Sequence, residues 1–196
     1  MKGKFIAIEG VDGCGKSTHA RLLAKWLRSK GYRVVVTDEP TNSPIGRVIK
    51  RVLRGELKVP IAAEALLFAA DRLHHAEQLI IPALRKGRIV ITERYYFSSL
   101  AYQAARRLPA QWISKLNERA PVPDLAVLID VPAYVALDRI RGSRKLDTFE
   151  KDLKLQRKVR AIYLQMVKKR KLRIVDGARV ASQVQADLRK LVQSVL

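Results

Sequence analysis

The sequence predicts an α/β domain with a mainly parallel sheet, on the basis of three observations. Short apolar runs alternate along the chain with longer amphipathic segments, which is the pattern of βαβ units. A glycine-rich segment lies between the first apolar run and the first amphipathic segment. The chain has 196 residues, enough for one domain with a substantial hydrophobic core. We therefore expect residues 1–196 to form a single domain, a three-layer sandwich in which helices flank a five-stranded parallel sheet.

The predicted strands are the short apolar runs, because each is rich in Val, Ile or Leu and too short for a helix of ordinary length. They cover residues 5–8, 33–37, 88–92, 124–130 and 172–175.

The amphipathic segments between these runs are the predicted helices, since their apolar residues recur at helical spacing. Pro82 is expected to bend or break one of them, because proline removes a helical hydrogen bond. The first helix begins at residue 17, and the others cover residues 45–53, 61–86, 98–107, 109–119, 132–141, 147–171 and 180–195.

Residues 10–17 read Gly-Val-Asp-Gly-Cys-Gly-Lys-Ser and match the phosphate-binding pattern G-x-x-x-x-G-K-[ST]. They lie between a predicted strand and a predicted helix, as this motif requires. Glycines let backbone N–H groups approach phosphate oxygens, Lys16 can reach the β and γ phosphates, and the Ser17 hydroxyl can ligate Mg²⁺. The pattern predicts nucleoside triphosphate binding in a P-loop NTPase-type fold. The residues assigned to it are Gly10, Val11, Asp12, Gly13, Cys14, Gly15, Lys16, Ser17 and Thr18.

Charged side chains follow three of the predicted strands. Glu9 follows the first, Glu39 comes soon after the second, and Glu93 with Arg94 follows the third. Ligands of open parallel sheets bind at the carboxyl ends of the strands. We therefore expect these side chains to meet the phosphate loop at one site.

The chain is strongly basic, with 39 Lys and Arg residues against 18 Asp and Glu and a formal net charge of +21. Such a charge favours polyanionic ligands, including nucleotides. It does not indicate a nucleic-acid-binding fold, because the sequence lacks zinc-ligand cysteines and its basic residues mostly alternate with apolar helix positions. We expect no specific nucleic-acid partner.

Residues 139–173 hold 14 basic residues and three acidic ones. The segment is either a solvated basic helix or, in part, a lid that closes over the triphosphate. The expected lid covers approximately residues 139–148, where Arg141 and Arg144 flank Gly142. This basic segment, together with the lack of an Asn-Lys-x-Asp sequence for guanine recognition, favours a small-molecule kinase over a GTPase.

No apolar run reaches the roughly 18 residues of a membrane-spanning helix. The chain enters a predicted strand directly, without the pattern of a signal peptide. Its single cysteine, Cys14, cannot form an internal disulfide, which suits a reducing compartment. We expect a cytoplasmic protein with no membrane partner.

Four stretches of the sequence carry a family resemblance: residues 5–18, 39–40, 66–72 (Leu-Leu-Phe-Ala-Ala-Asp-Arg) and 94–103 (Arg-Tyr-Tyr-Phe-Ser-Ser-Leu-Ala-Tyr-Gln). Residues 123–130 support it. The chain resembles thymidylate kinases of the P-loop nucleoside monophosphate kinase superfamily, and the third and fourth stretches are specific to thymidylate kinases. The resemblance implies transfer of the γ-phosphate of ATP to dTMP, giving dTDP and ADP in dTTP biosynthesis, with Mg²⁺ and usually as a homodimer.

The same resemblance implies roles for individual residues on the acceptor side. Phe68 would stack on thymine and Arg72 would bond a base carbonyl, as a flat ring and a guanidinium allow. Asp12 would bind the 3′-hydroxyl, and Arg94 would touch both phosphates. Lys50 is a loose match to an acceptor-phosphate arginine, so Arg47 or Arg51 are alternatives. The dTMP residues are thus Asp12, Glu39, Lys50, Phe68, Arg72, Arg94, Ser99, Tyr102 and Gln103, with Tyr102 placed to crowd a 2′-hydroxyl.

The sequence departs from the family pattern at two positions. Glu93 stands where the family usually has Asp, and it is assigned with Ser17 to the metal site. Gly13 stands where some members place a catalytic arginine, so the resemblance assigns that charge to Arg141 and Arg144 in the lid. Lys16, Arg94, Arg141 and Arg144 are the expected catalytic residues. No general base is expected, because the nucleophile is already an ionised phosphate, and the histidines receive no catalytic role.

Two alternatives to dTMP phosphorylation remain from the sequence. The first is a kinase for another nucleoside monophosphate, or for a deoxynucleoside. The second, suggested by the charge of +21, is a nucleic-acid-binding or regulatory P-loop NTPase.

Overall fold

The computed structural model describes residues 3–140 and 152–196. Arg141 and Arg144 lie outside the described residues, as does most of the expected lid at residues 139–148.

Five strands form one parallel sheet in the order β2-β3-β1-β4-β5, which confirms the sheet that the sequence predicts. β1 is central and pairs with β3 on one side and β4 on the other. The side chains of the three inner strands are almost entirely buried, which stabilises the fold by roughly 1.5–3 kcal/mol per large aliphatic side chain. The strands are β1 Lys4–Glu9, β2 Val34–Asp38, β3 Ile89–Glu93, β4 Leu125–Asp130 and β5 Arg173–Asp176.

Helices flank the sheet. The first helix packs on β2, β3 and the last helix. The helix before β5 packs on β4, on the helix that follows β3 and on the helix that follows β4. Within the described residues, no helix combines the length and apolar character needed to cross a membrane. The helices are α1 Lys16–Ser29, α2 Pro44–Leu53, α3 Ile61–His75, α4 Ile81–Arg85, α5 Tyr96–Ala105, α6 Ala110–Leu116, α7 Ala133–Ile140, α8 Leu153–Lys168 and α9 Ala181–Gln193.

The predicted break in the helical segment 61–86 lies earlier than Pro82. A π-helical turn, Ala76–Ile80, separates α3 from α4, and Pro82 lies in the first turn of α4. Proline is tolerated there because the first N–H groups of a helix have no partner within it. Pro82 has no N–H to donate to the preceding turn, and the helix widens to a π turn in that preceding segment.

Every strand of the sheet ends on an acidic residue, and parallel strands place these ends on one edge. The phosphate loop starts from the middle of that edge, after β1. The fold therefore collects charged side chains where ligands of parallel sheets bind. The five residues are Glu9, Asp38, Glu93, Asp130 and Asp176.

Candidate active site

The phosphate loop wraps around its own lysine. Lys16 Nζ donates to the carbonyl oxygens of Gly10 at 3.1 Å and Val11 at 2.9 Å. Gly13, with φ 82°, lies against α7, and a Cβ on it would come within 2.0 Å of the Ala136 carbonyl oxygen. The loop therefore has no room for an arginine at position 13, because the α7 backbone occupies the space.

Asp12 is the centre of a charged cluster that joins the phosphate loop to α5. Its carboxylate accepts hydrogen bonds from Arg94 Nη2 and, at 3.0 Å, from the Tyr102 hydroxyl. Lys16 Nζ lies 3.7 Å from the same carboxylate. Burial alone would raise the pKa of Asp12, but the positive charges of Arg94 and Lys16 outweigh it and hold the pKa well below its ordinary value. Asp12 is therefore ionised at neutral pH.

Arg94 follows β3 in a left-handed backbone conformation, with φ 66°, which is uncommon for a residue other than glycine. Its backbone N–H donates to the Ile8 carbonyl oxygen at 2.9 Å, and Thr92 Oγ1 donates to its carbonyl oxygen at 3.0 Å. Its Nη1 donates to Ser98 Oγ at 3.1 Å. The central strands thus hold the guanidinium over the phosphate loop at some cost in backbone strain.

Two predicted metal ligands lie next to each other across the cleft. Ser17 Oγ in the first turn of α1 donates to Glu93 Oε2 at 2.5 Å. A hydroxyl and a carboxylate are hard oxygen ligands of the kind that Mg²⁺ prefers, usually alongside phosphate oxygens and waters. Among the described residues no group of three or more His, Cys, Asp or Glu forms a metal cluster. The donor set suits an ion held mainly by a substrate phosphate.

An open cleft of about 480 Å³ lies above the phosphate loop, a volume in the range of small-molecule sites. Three predicted site residues from outside the loop, Glu39, Glu93 and Arg94, contribute to its wall. The lining residues are Asp12, Gly13, Gly15, Lys16, Ser17, Thr18, Asp38, Glu39, Glu93, Arg94, Arg139 and Ile140.

A second charged cluster surrounds Arg72, whose side chain is 1% exposed. Arg72 Nε donates to Glu39 Oε2 at 2.8 Å, and Nη1 donates to Ser99 Oγ at 3.2 Å. His75 Nδ1 lies 3.1 Å from Glu39 Oε1. Since Glu39 also lines the cleft, this cluster reaches the substrate side of the sheet.

The sequence profile of thymidylate kinases matches residues 8–188. The chain belongs to the thymidylate kinase family. A probable thymidylate kinase of Pyrococcus horikoshii is 45% identical over 202 residues, covering 100% of this chain and 98% of that protein. Probable thymidylate kinases of Archaeoglobus fulgidus and Caldivirga maquilingensis are 42% and 40% identical, and each alignment covers at least 93% of both chains. The resemblance noted in the sequence is confirmed.

For this thymidylate kinase family member, the structure brings most of the predicted acceptor-side residues into two clusters. Asp12, Arg94 and Tyr102 form one, and Glu39, Arg72 and Ser99 lie in the other. The two clusters are joined through the chain, because Arg94, Ser99 and Tyr102 all lie in or next to α5.

Three predicted acceptor residues lie outside these clusters. Phe68 is half-buried one turn before Arg72 on α3, and Gln103 is buried one turn after Ser99 on α5. Lys50 lies on α2 and donates to Asn42 Oδ1 at 2.5 Å. Its alternatives also contact neighbouring groups, Arg47 the Asn42 carbonyl oxygen and Arg51 the Glu56 carboxylate.

Glu9, which the strand-end pattern places at the site, anchors the fold beneath the loop. Its fully buried carboxylate accepts hydrogen bonds from the Tyr95 N–H, Ser98 Oγ and the Tyr163 hydroxyl at 2.7–2.8 Å. Burial raises the pKa of Glu9 above its ordinary value, although these hydrogen bonds oppose the shift. Glu9 thus ties β1 to α5 and α8.

Sequence reasoning missed several residues at the site. Asp38 lines the cleft and is the last residue of β2, so its position at a strand end is a signal that marks it. Arg139 lies in the last turn of α7, and its Nη1 donates to the Gly177 carbonyl oxygen at 3.1 Å. Asn117 contacts Arg72 from 45 residues away in sequence, and His75 contacts Glu39 from 36 residues away. No local pattern marks either Asn117 or His75.

Proposed function

We propose that this protein transfers the γ-phosphate of ATP to dTMP, giving ADP and dTDP, with Mg²⁺. The observation that carries the proposal is the Asp12 cluster. Asp12 belongs to the phosphate loop, yet it bonds Arg94 and Tyr102 on the side where the resemblance puts dTMP. The relatives in Pyrococcus horikoshii and Archaeoglobus fulgidus carry the name probable thymidylate kinase, which agrees with this proposal.

On the donor side, residues 10–18 would hold the triphosphate through backbone N–H groups and the N-terminus of α1. Lys16 would exchange its bonds to loop carbonyls for the β and γ phosphates. Ser17 and Glu93 would hold Mg²⁺, which neutralises charge on the transferring group. In the proposal Arg141 and Arg144 of the lid supply the remaining positive charge, since Gly13 leaves no room for it in the loop.

On the acceptor side, the phosphate of dTMP is the nucleophile and needs no general base. Arg94 would lie between acceptor and donor phosphates and stabilise the charge that develops between them. Asp12 would accept a hydrogen bond from the 3′-hydroxyl, and Tyr102 would leave no space for a 2′-hydroxyl. Lys50, or one of its neighbours Arg47 and Arg51, would contact the acceptor phosphate.

The base would lie between α3 and α5. Phe68 would stack on thymine, and Arg72, fixed by Glu39 and Ser99, would donate to a base carbonyl. Gln103 would line the same pocket, an assignment supported by its buried Oε1, which has no hydrogen-bond donor within the described residues and could accept from a substrate N–H.

The proposal is tested by comparing acceptors under identical conditions, with ATP and Mg²⁺ and with dTMP, dUMP, UMP, dCMP or thymidine. We expect dTMP to give the highest kcat/KM. A higher kcat/KM with any other acceptor would show that the substrate is a different nucleoside or nucleotide. The roles proposed for the base-site residues would then be wrong as well.

A cytoplasmic homodimer completes the proposal. The resemblance to thymidylate kinases, which are usually homodimers, supports this part of the proposal. Light scattering on the protein as it elutes from a size-exclusion column is expected to give twice the mass of one chain, which is 22.2 kDa. A mass of one chain at micromolar concentration would rule out the dimer without affecting the proposed reaction.

A further inference from the structure

Arg72 is held from three sides by groups that come from separate elements. Glu39 lies just after β2 and Ser99 lies on α5, and both bond the guanidinium. The third contact is the shortest, because Arg72 Nη1 donates to Asn117 Oδ1 at 2.5 Å. Asn117 directly follows α6, 45 residues from Arg72 in sequence, and its side chain is 7% exposed.

The Asn117 amide is itself fixed in one orientation. Its Nδ2 donates to the Ile113 carbonyl oxygen at 2.7 Å, one turn back in α6. A carbonyl oxygen can only accept and a guanidinium can only donate, so the two neighbours together determine which end of the amide faces Arg72. The oxygen that Arg72 meets is therefore preset by α6.

These contacts determine which nitrogen of Arg72 is left for a ligand. Nε is bonded to Glu39, and the two hydrogens of Nη1 point to Ser99 and Asn117. Nη2 pairs with Glu39 Oε2 at 2.8 Å through one of its two hydrogens, and its second hydrogen is the one left for a ligand. A guanidinium locked in this way presents one donor edge in a defined direction.

We propose that Asn117 is a positioning residue for base recognition, which acts through Arg72 and favours a pyrimidine with a carbonyl oxygen at position 4 over one with an amino group. The inference rests on the proposed function, in which Arg72 donates to a base carbonyl. An amino group at that position is a donor and would face the Arg72 donor unpaired, which costs affinity. Without Asn117, one Nη1 hydrogen loses its acceptor. Glu39, Ser99 and the Tyr95 ring still hold the guanidinium, but its donor edge is less firmly directed at the base.

The test compares dTMP with dCMP as acceptors for the wild type and for Asn117→Ala. We expect the dTMP KM to rise roughly tenfold and the kcat/KM preference for dTMP over dCMP to fall by a similar factor. The kcat for dTMP and the KM for ATP are expected to change less than about twofold. Asn117→Asp keeps an oxygen for Arg72 but loses the donor to the Ile113 carbonyl oxygen, so it is expected to restore the preference in part.

Two further variants separate positioning from a general loss of structure. Ile113→Val removes a buried methylene from the same helix without touching Arg72, so it is expected to lower stability but leave the dTMP preference unchanged. In an Arg72→Lys background, Asn117→Ala is expected to have no further effect on the preference, because it acts only through the guanidinium. Should Asn117→Ala unfold at the assay temperature, Asn117→Ser, too short to reach Nη1, replaces it.

The possible failures are distinguishable. A wild type that does not prefer dTMP overturns the proposed function and this inference together. A wild type that prefers dTMP, with Arg72→Lys reducing the preference and Asn117→Ala leaving it intact, overturns the role of Asn117 alone. An equal further loss of preference in the Arg72→Lys background also overturns it, since Asn117 would then act by another route.

Discussion

At the scale of single residues, the site is organised by carboxylates that hold cations in place. Asp12 binds Arg94 and lies near Lys16, while Glu39 binds Arg72. The sequence motifs predicted each of these five residues at the site, because each lies in a stretch with a recognisable pattern. Asn117 could not be predicted, since a single amide after a short helix has no sequence signal. Its role depends on tertiary packing alone.

Arg94→Ala is expected to lower kcat by on the order of 10²–10³ with little change in KM for either substrate, because Arg94 is assigned to charge that develops during transfer. Steady-state kinetics with ATP and dTMP varied separately measure this. Arg28→Ala, which removes the same charge near the far end of α1, serves as the control. An effect confined to the KM for ATP would contradict the assignment.

Phe68→Ala is expected to raise the dTMP KM by about 10- to 100-fold, since stacking of a base on an aromatic ring contributes roughly 1–3 kcal/mol. Phe68→Tyr keeps the ring and is expected to stay within a few-fold of the wild type. Initial rates at varied dTMP concentration decide the matter. An unchanged KM in Phe68→Ala would remove this residue from the base site.

At the scale of elements, the phosphate loop and α7 are packed so closely that they constrain each other. Gly13 has a left-handed φ of 82° and no space for a Cβ beside Ala136. The sequence alone indicated only that an arginine is missing at this position, and the packing supplies the reason. Element boundaries were harder to predict: α8 ends at Lys168 and not at residue 171, since a turn through Arg170 with φ 55° ends the helix earlier.

Gly13→Ala is expected to destabilise the protein by about 2–4 kcal/mol and to weaken ATP binding, because backbone strain adds to an overlap with α7. Gly31→Ala is a matched control. Gly31 has a similar φ of 86° but nothing within 4 Å of a Cβ, so only the backbone cost of about 1–2 kcal/mol is expected. Denaturant unfolding measures both variants, and equal losses would contradict the close packing of loop and α7.

At the scale of the whole molecule, the alternation of strands and helices was enough to predict the parallel sheet but not its strand order. The order β2-β3-β1-β4-β5 depends on pairings between residues far apart in sequence, such as Ile6 with Leu125. The order matters for function because it places β1, and with it the phosphate loop, between β3 and β4. Glu93 at the end of β3 and Arg94 directly after it then reach the loop, as the Ser17–Glu93 contact illustrates.

In the proposed reaction the phosphate loop and Arg94 act together on two nucleotides. Following the label from γ-³²P-ATP in the presence of Mg²⁺ and dTMP tests this joint action. We expect the label to move to dTDP, with little inorganic phosphate released. Release of labelled phosphate without transfer to dTMP, stimulated by DNA or RNA, would overturn the proposed function and indicate a nucleic-acid-dependent NTPase.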